Sequence, residues 1–181
     1  YLAYGGLLES MYAGAGAEYL YRPVGSRWAV GVDVNRVQQR EFSQGLDLRD
    51  YKVTTGHATL YWDTGFEDVL LRLSAGRYLA GDVGMTVDAS RVFANGVRFG
   101  AYATKTDVSA AQFGEGSFDK GIYVSIPFDV MLPRTGGGTA TITYAPLIRD
   151  GGARLNRRFT LYDLTRSRDV RAASTPDSTL P

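Results

Sequence analysis

The sequence predicts an all-β chain: an antiparallel, up-and-down transmembrane β-barrel of about eight strands, or part of a larger barrel, over residues 1–166. Three observations lead there. Apolar and polar residues alternate at every step over long stretches, the period of two that gives a strand two unlike faces. The alternating segments run to about ten residues, near the roughly 9–11 that a tilted strand needs to cross a bilayer, against a soluble mode of roughly five or six. No apolar run approaches the roughly 18 residues of a transmembrane helix, whereas barrel strands leave only a weak hydropathy signal.

Residues 1–8 are apolar and ambiguous, a lead-in to a first strand. Over 9–22, Ala13, Ala15, Ala17, Tyr19 and Tyr21 share a face opposite Tyr12, Gly14, Gly16 and Glu18. Small residues on that second face suit a crowded interior. After a Pro- and Gly-bearing turn, Trp28, Val30, Val32 and Val34 oppose Gly31, Asp33 and Asn35, apolar outward and polar inward. Residues 38–50 read as a polar loop at a barrel mouth. In 51–63, Ala58, Leu60 and Trp62 form the outward set, blurred by Val53 and Tyr61 on the other side.

The densest alternation spans 68–106. Val69, Leu71, Leu73 and Ala75 oppose Arg72, Ser74 and Gly76; beyond the Gly81-Asp82 turn, Met85, Val87 and Ala89 oppose Thr86, Asp88 and Ser90. Asn95-Gly96 reads as a tight hairpin turn, after which Val97, Phe99, Ala101 and Ala103 oppose Arg98, Gly100, Tyr102 and Thr104. Loops are expected over 107–119 and 131–138. Between and after them, Ile122, Val124, Ile126 and Phe128 oppose Tyr123 and Ser125, and Ala140, Ile142 and Tyr144 oppose Thr141 and Thr143. Residues 149–156 read as a polar turn and Phe159–Leu161 as a short final strand. Residues 167–181, rich in Arg, Ser and Pro, read as a disordered tail. The tally is eight segments plus a short ninth. Tyr19, Tyr21, Trp28, Tyr61, Trp62, Phe93 and Phe128 fall near segment ends, where interfacial aromatic girdles would place them.

A formal net charge of +1 gives no electrostatic case for nucleic acid, and the absence of cysteine excludes disulfides, thiolate metal sites and cysteine nucleophiles. The start at Tyr1, without an initiator Met, implies a processed or truncated product.

The segments GSRWAVGVDVN (25–35), TGHATLYW (55–62), SAGRYLAGD (74–82) and ANGVRFGAYATKTDVS (94–109) resemble the carboxy-terminal part of the YjbH/GfcD family. So do FGEGSFDKGIYVSIPFD (113–129) and RDGGARLNRRFTLYDLT (149–165), in the same order along the chain. The resemblance implies a piece of a longer outer-membrane protein of Gram-negative bacteria, serving exopolysaccharide or capsule secretion. It implies as partners the polymer, outer-membrane lipid, and the remainder of a longer chain or other secretion proteins. No cofactor is implied.

The residues on which a polymer path would depend are the inward-facing polar ones: Glu18, Asp33, Asn35, Arg72, Asp88, Arg98, Tyr102 and Tyr123. Acids, arginines and tyrosines hydrogen-bond sugar hydroxyls, and tyrosine rings stack on sugar C–H faces. The plainer reading is that these groups pair with one another and fill a small barrel. His57, the single histidine, reads as a hydrogen-bonded structural residue beside hydroxyls. A lipid-modifying barrel enzyme would need it to pair with Ser74 or Ser90, neither of which lies in a nucleophile elbow. No catalytic residue is therefore expected. A third reading, a soluble β-barrel carbohydrate or ligand binder, would show the same alternation with the apolar face turned inward. The AGAGAE (13–18) and GEGSFDKG (114–121) glycines lack the helix that a phosphate cradle requires, and Asp33, Asp47, Asp82 and Asp88 lack calcium-loop spacing. Arg154, Arg157, Arg158, Arg166, Arg168 and Arg171 read as a solvated edge or tail.

Overall fold

The computed structural model of the chain describes residues 1–43, 45–108, 118–131, 138–145, 151–157 and 160–165. Nine strands follow one another: β1 (Leu2–Leu7), β2 (Tyr12–Tyr21), β3 (Trp28–Arg40), β4 (Leu48–Asp63), β5 (Val69–Arg77), β6 (Val83–Val92), β7 (Arg98–Thr106), β8 (Asp119–Pro127) and β9 (Thr139–Tyr144). Helical turns α1 (Phe128–Met131) and α2 (Leu161–Leu164) complete the described elements. The strands form one sheet in sequence order, each antiparallel to the next. Among the described residues β1 and β9 do not pair, so the sheet is open at those two edges.

Alternation translates directly into burial, with the usual polarity reversed. Along β3, Val32 is 46% and Val34 54% exposed, while Asp33 is 5% and Asn35 1% exposed. Leu60, Trp62, Leu73, Met85, Val87, Phe99, Ile122 and Ile142 continue the exposed apolar face, and Thr55, His57, Thr59, Ser74, Asp88, Ser90 and Thr104 continue the buried polar one.

Phe42 and Tyr144 stand exposed at one end of the strands, while Tyr21, Trp28, Trp62, Phe93 and Phe128 gather at the opposite rim, which carries the turns 22–27, 64–68 and 93–97. Tyr21 and Trp28 meet there with ring centroids 5.9 Å apart, and Trp28 pairs in register with Trp62. Phe93 and Phe128 reach the same rim from β6 and β8. Tyr61 does not belong with them. It is buried on the inner face, stacked on Tyr162.

Three expectations about the elements are corrected. Residues 38–40 and 48–50 are strand rather than loop, because the backbone stays paired while Asp50 reaches water and Arg40 donates to the Ser10 and Gly45 carbonyls. The ninth strand is β1, not Phe159–Leu161. Thr160 caps α2 with its Oγ1 accepting the Asp163 N–H at 3.2 Å, so Leu161 turns helical, while Phe159 lies outside the described residues. The Asn95-Gly96 hairpin has a three-residue loop with only Gly96 in the left-handed region (φ 82°), closed by Phe93 N–H to Val97 O at 2.8 Å. The 78–82 hairpin repeats that design with Gly81 at φ 86°. The expected loops at 109–117 and 132–137 and the expected tail at 167–181 lie outside the described residues.

Candidate functional site

The inner face is built in layers. In the middle, register sets Glu18 directly opposite Asp33 and Asp33 opposite His57. Two carboxylates facing each other across a strand pair repel, more so where water is excluded. The sheet supplies no cation to that row. The cations come from the segment after β9, which runs along the inner face from the far rim to the aromatic rim.

This segment is pinned at each stage. At the far rim Gly152 N–H donates to Asp82 Oδ2 at 2.7 Å and Leu79 N–H to Ala153 O at 2.9 Å. Arg154 then donates to Asp33 Oδ1 and Ser74 Oγ, both at 3.0 Å, and to Thr59 Oγ1 at 3.3 Å. Asn156 N–H donates to Glu9 Oε2 at 2.8 Å. Arg157 donates to Glu18 Oε2 at 2.6 Å and to the Tyr4 hydroxyl at 3.0 Å, and lies 3.6 Å from Asp33. At the aromatic rim Tyr162 stacks on Tyr61 with centroids 4.0 Å apart, and Arg22 donates to Thr165 O at 2.9 Å. Residues 151–156 are therefore not a polar turn, and Arg154 and Arg157 are not a solvated edge. Arg158, Arg166, Arg168 and Arg171 lie outside the described residues.

Apolar layers close the polar one from both sides. Leu155 packs with Val37, Val53 and Leu79 toward the far rim, and Tyr162 with Ala29, Tyr61 and Leu70 toward the aromatic rim. Val53 and Tyr61 blur the alternation of β4 because they face these two layers. Exclusion of water strengthens the ion pairs between them. Burial disfavours the Arg157 charge, yet Asp33 and Glu18 hold its guanidinium above the ordinary value. Burial also pushes the Glu9 carboxyl up, partly offset by the Asn156 N–H that it accepts.

The expected inward set divides in two. Glu18, Asp33 and Asn35 lie under the crossing segment; Asn35 donates to Asp33 Oδ2 at 2.8 Å and accepts from the Tyr4 hydroxyl. Arg72, Asp88, Tyr102 and Tyr123 form a second group on β5–β8. Arg72 pairs in register with Asp88 and lies 3.6 Å from it; Asp88 pairs with Tyr102. The Tyr123 hydroxyl reaches across β7 to both Asp88 oxygens at 3.1 Å. Arg98 lies apart, at the aromatic-rim end of β7. Sequence reasoning missed Tyr4, Arg154 and Arg157 as interior residues. The available signal was the Glu18–Asp33 opposition, which demands a cation from outside the sheet.

His57 is buried with its Nδ1 3.8 Å from Asp33 and its ring edge-on to Tyr78 at 4.7 Å. Neither ring nitrogen has a hydrogen-bond partner among the described residues, so it is not the hydrogen-bonded histidine expected. Ser74 bonds Thr59 and Arg154 instead, and no Ser–His pair forms among the described residues.

Residues 1–167 match the family model described as exopolysaccharide biosynthesis protein YbjH. A protein of Escherichia coli (strain K12) named uncharacterized lipoprotein YjbH is 50% identical over 171 residues, which cover 92% of this chain and 24% of that protein. The chain thus spans about a quarter of the length of that curated relative. No solved structure matches the chain.

Proposed function

Because the chain belongs to the YjbH exopolysaccharide biosynthesis family, we propose that it forms part of an outer-membrane β-barrel that serves exopolysaccharide secretion without itself changing covalent bonds. The observation that carries this reading is the reversed polarity of the sheet. Side chains such as Val30, Val32, Val34, Val87 and Phe99 cover the exposed face, and the acids, hydroxyls and histidine are buried. Exposing a continuous apolar face to water costs about 25 cal/mol per Å², whereas acyl chains leave it unpenalised. A soluble sandwich or lipocalin-like binder requires the opposite arrangement, with the apolar face inward. Exposed aromatics at both ends of the strands, Trp28 and Trp62 at one and Phe42 and Tyr144 at the other, support interfacial girdles. The relative's name, lipoprotein, fits an envelope location.

The strand count supports a larger barrel. In a meander of the nine described strands β1 and β9 run in the same direction, so antiparallel closure takes an odd number of strands beyond those described. The remainder of a longer chain would supply them. Within such a barrel the crossing segment fills the side of β1–β5 and, through Gly152 on Thr104 and Asp119, the far end of β7–β8, and leaves the middle of the β5–β8 wall for polymer. Fractionation of the tagged full-length protein tests the reading. Recovery with outer-membrane markers is expected, together with loss of secreted polymer on deletion. Recovery in the inner-membrane or cytosolic fraction overturns it.

A further inference from the structure

The crossing segment directs its side-chain hydrogen bonds to β1–β5 and to the turns. On β5–β8 the inward groups keep one side open: Arg72, Tyr102 and Tyr123 are only half-buried. Their arrangement is specific. Tyr123 on β8 lies flat over Gly100 on β7, where an added Cβ would stand 2.4 Å from the tyrosine Cζ. Tyr102 on β7 lies over Gly121 on β8, with Cε1 2.7 Å from the corresponding position. Each ring therefore rests one face on backbone and turns the other toward the interior. Tyr4 shows the same device, crossing Gly16 to reach Asn35, but Arg157 lies 5.5 Å from its ring centroid. Unmet hydrogen-bonding capacity lies beside the open pair. Ser90 Oγ and Arg72 Nε are buried with no hydrogen-bond partner among the described residues. Both atoms lie beneath the accessible surface, so what faces the interior is the two rings and the rest of the Arg72 side chain, which is 28% exposed.

We propose that the inner wall of β5–β8 is a carbohydrate platform: Tyr102 and Tyr123 stack the C–H face of a pyranose while the Arg72 guanidinium, held by Asp88, takes its hydroxyls. The inference deepens the secretion reading and rests on it for the nature of the polymer. The chemistry favours a neutral sugar, because Arg72 and Asp88 already balance each other at 3.6 Å. Few polar groups around an apolar face is the usual construction of a small-ligand site.

The test uses the full-length protein in detergent, with two probes: maltoheptaose, and oligosaccharides prepared from the polymer of the producing cells. Saturation-transfer NMR reads contact between protein and sugar C–H protons, and a titration reads affinity. Transfer into ring protons of the cells' own oligosaccharides is expected. The Tyr102→Ala, Tyr123→Ala double variant should weaken binding about tenfold or more. Gly100→Ala, which evicts the Tyr123 ring without deleting a side chain, should do the same. Tyr123→Phe keeps the ring and should bind within about threefold of wild type. Tyr123→Leu keeps bulk over Gly100 but has no aromatic face, and serves if the alanine variants fail to assemble. Absence of transfer from both probes with the wild-type protein, or Tyr123→Leu binding within about twofold of wild type, overturns the platform. Normal outer-membrane recovery and secretion alongside such a result would sink the platform alone; mislocalised wild-type protein would sink the secretion reading itself.

Discussion

Removing Arg157 should release the crossing segment. Its guanidinium is 8% exposed and the Glu18 carboxylate 2%, so the 2.6 Å pair is a buried one, unlike an exposed pair worth about 0–1 kcal/mol. Arg157→Ala leaves Glu18 and Asp33 facing each other across β2 and β3 with Arg154 the one arginine still paired there among the described residues. Truncating one partner of a buried pair costs roughly 3–5 kcal/mol, because the remaining charge stays desolvated. Leu155, Tyr162 and Arg154 still hold the segment, so the loss should fall on its local opening rather than on the sheet. A drop of about 3 kcal/mol in opening free energy corresponds to about a hundredfold faster amide exchange, at 1.4 kcal/mol per decade. Hydrogen exchange by mass spectrometry on the full-length protein, read on peptides covering 151–157 and 160–165, measures this directly. Glu18→Gln combined with Arg157→Ala should recover part of the protection, since it removes the stranded charge. Arg36→Ala is the control: Arg36 is exposed and bonds only Thr54 among the described residues, at 2.7 Å. Exchange in 151–157 within about threefold of wild type, or an Arg36→Ala effect of equal size, would refute the reasoning.

Val32→Arg places a charge at the centre of the exposed face of β3; if that face meets lipid it should cost about 2–4 kcal/mol, seen as loss of heat-modifiable, outer-membrane-assembled protein, whereas neutrality would favour water on that face. Gly16→Ala puts a Cβ 2.3 Å from Asn35 Oδ1 and 2.8 Å from the Tyr4 ring; overpacking of this kind costs about 1–3 kcal/mol, read as a lower thermal midpoint. His57→Leu loses no hydrogen bond found among the described residues and should destabilise by less than about 1.5 kcal/mol. The same variant should leave any hydrolysis of long-chain p-nitrophenyl esters at the wild-type level; loss confined to the variant would revive a catalytic role for His57.

The walls of this fold are legible in the sequence because their signal is local. Alternation from Trp28 to Asn35, or from Val69 to Gly76, fixes which side chains share a face whatever the strand pairs with. Alternation alone leaves open which face turns inward, since a soluble barrel shows the same pattern; strand length and aromatic placement are what favour the polar face inside. The interior is not local. Arg157 meets Glu18 at a separation of 139 residues and Arg154 meets Asp33 at 121. No period links them, and a short stretch containing Gly-Gly and several arginines has the composition of a solvated turn. Yet the sequence did hold a constraint that favoured the correct reading. Once β2 and β3 are joined by the 22–27 turn, register places Glu18 against Asp33, and an enclosed pair of like charges is untenable without a counter-ion. The inward positions on the neighbouring strands offer Asn35, Thr59 and Ser74, none of them a cation, and His57, whose Nδ1 stands 3.8 Å from Asp33. The cation therefore had to come from outside those strands. Arg154 and Arg157 meet that need while Leu155 and Tyr162 near them supply apolar caps. Conflict in the wall thus predicts occupancy of the lumen. By the same logic, the Arg72–Asp88 pair on β5–β8 is balanced within the sheet and draws no counter-ion from the crossing segment, which meets that wall through Gly152, packed on Thr104 and Asp119.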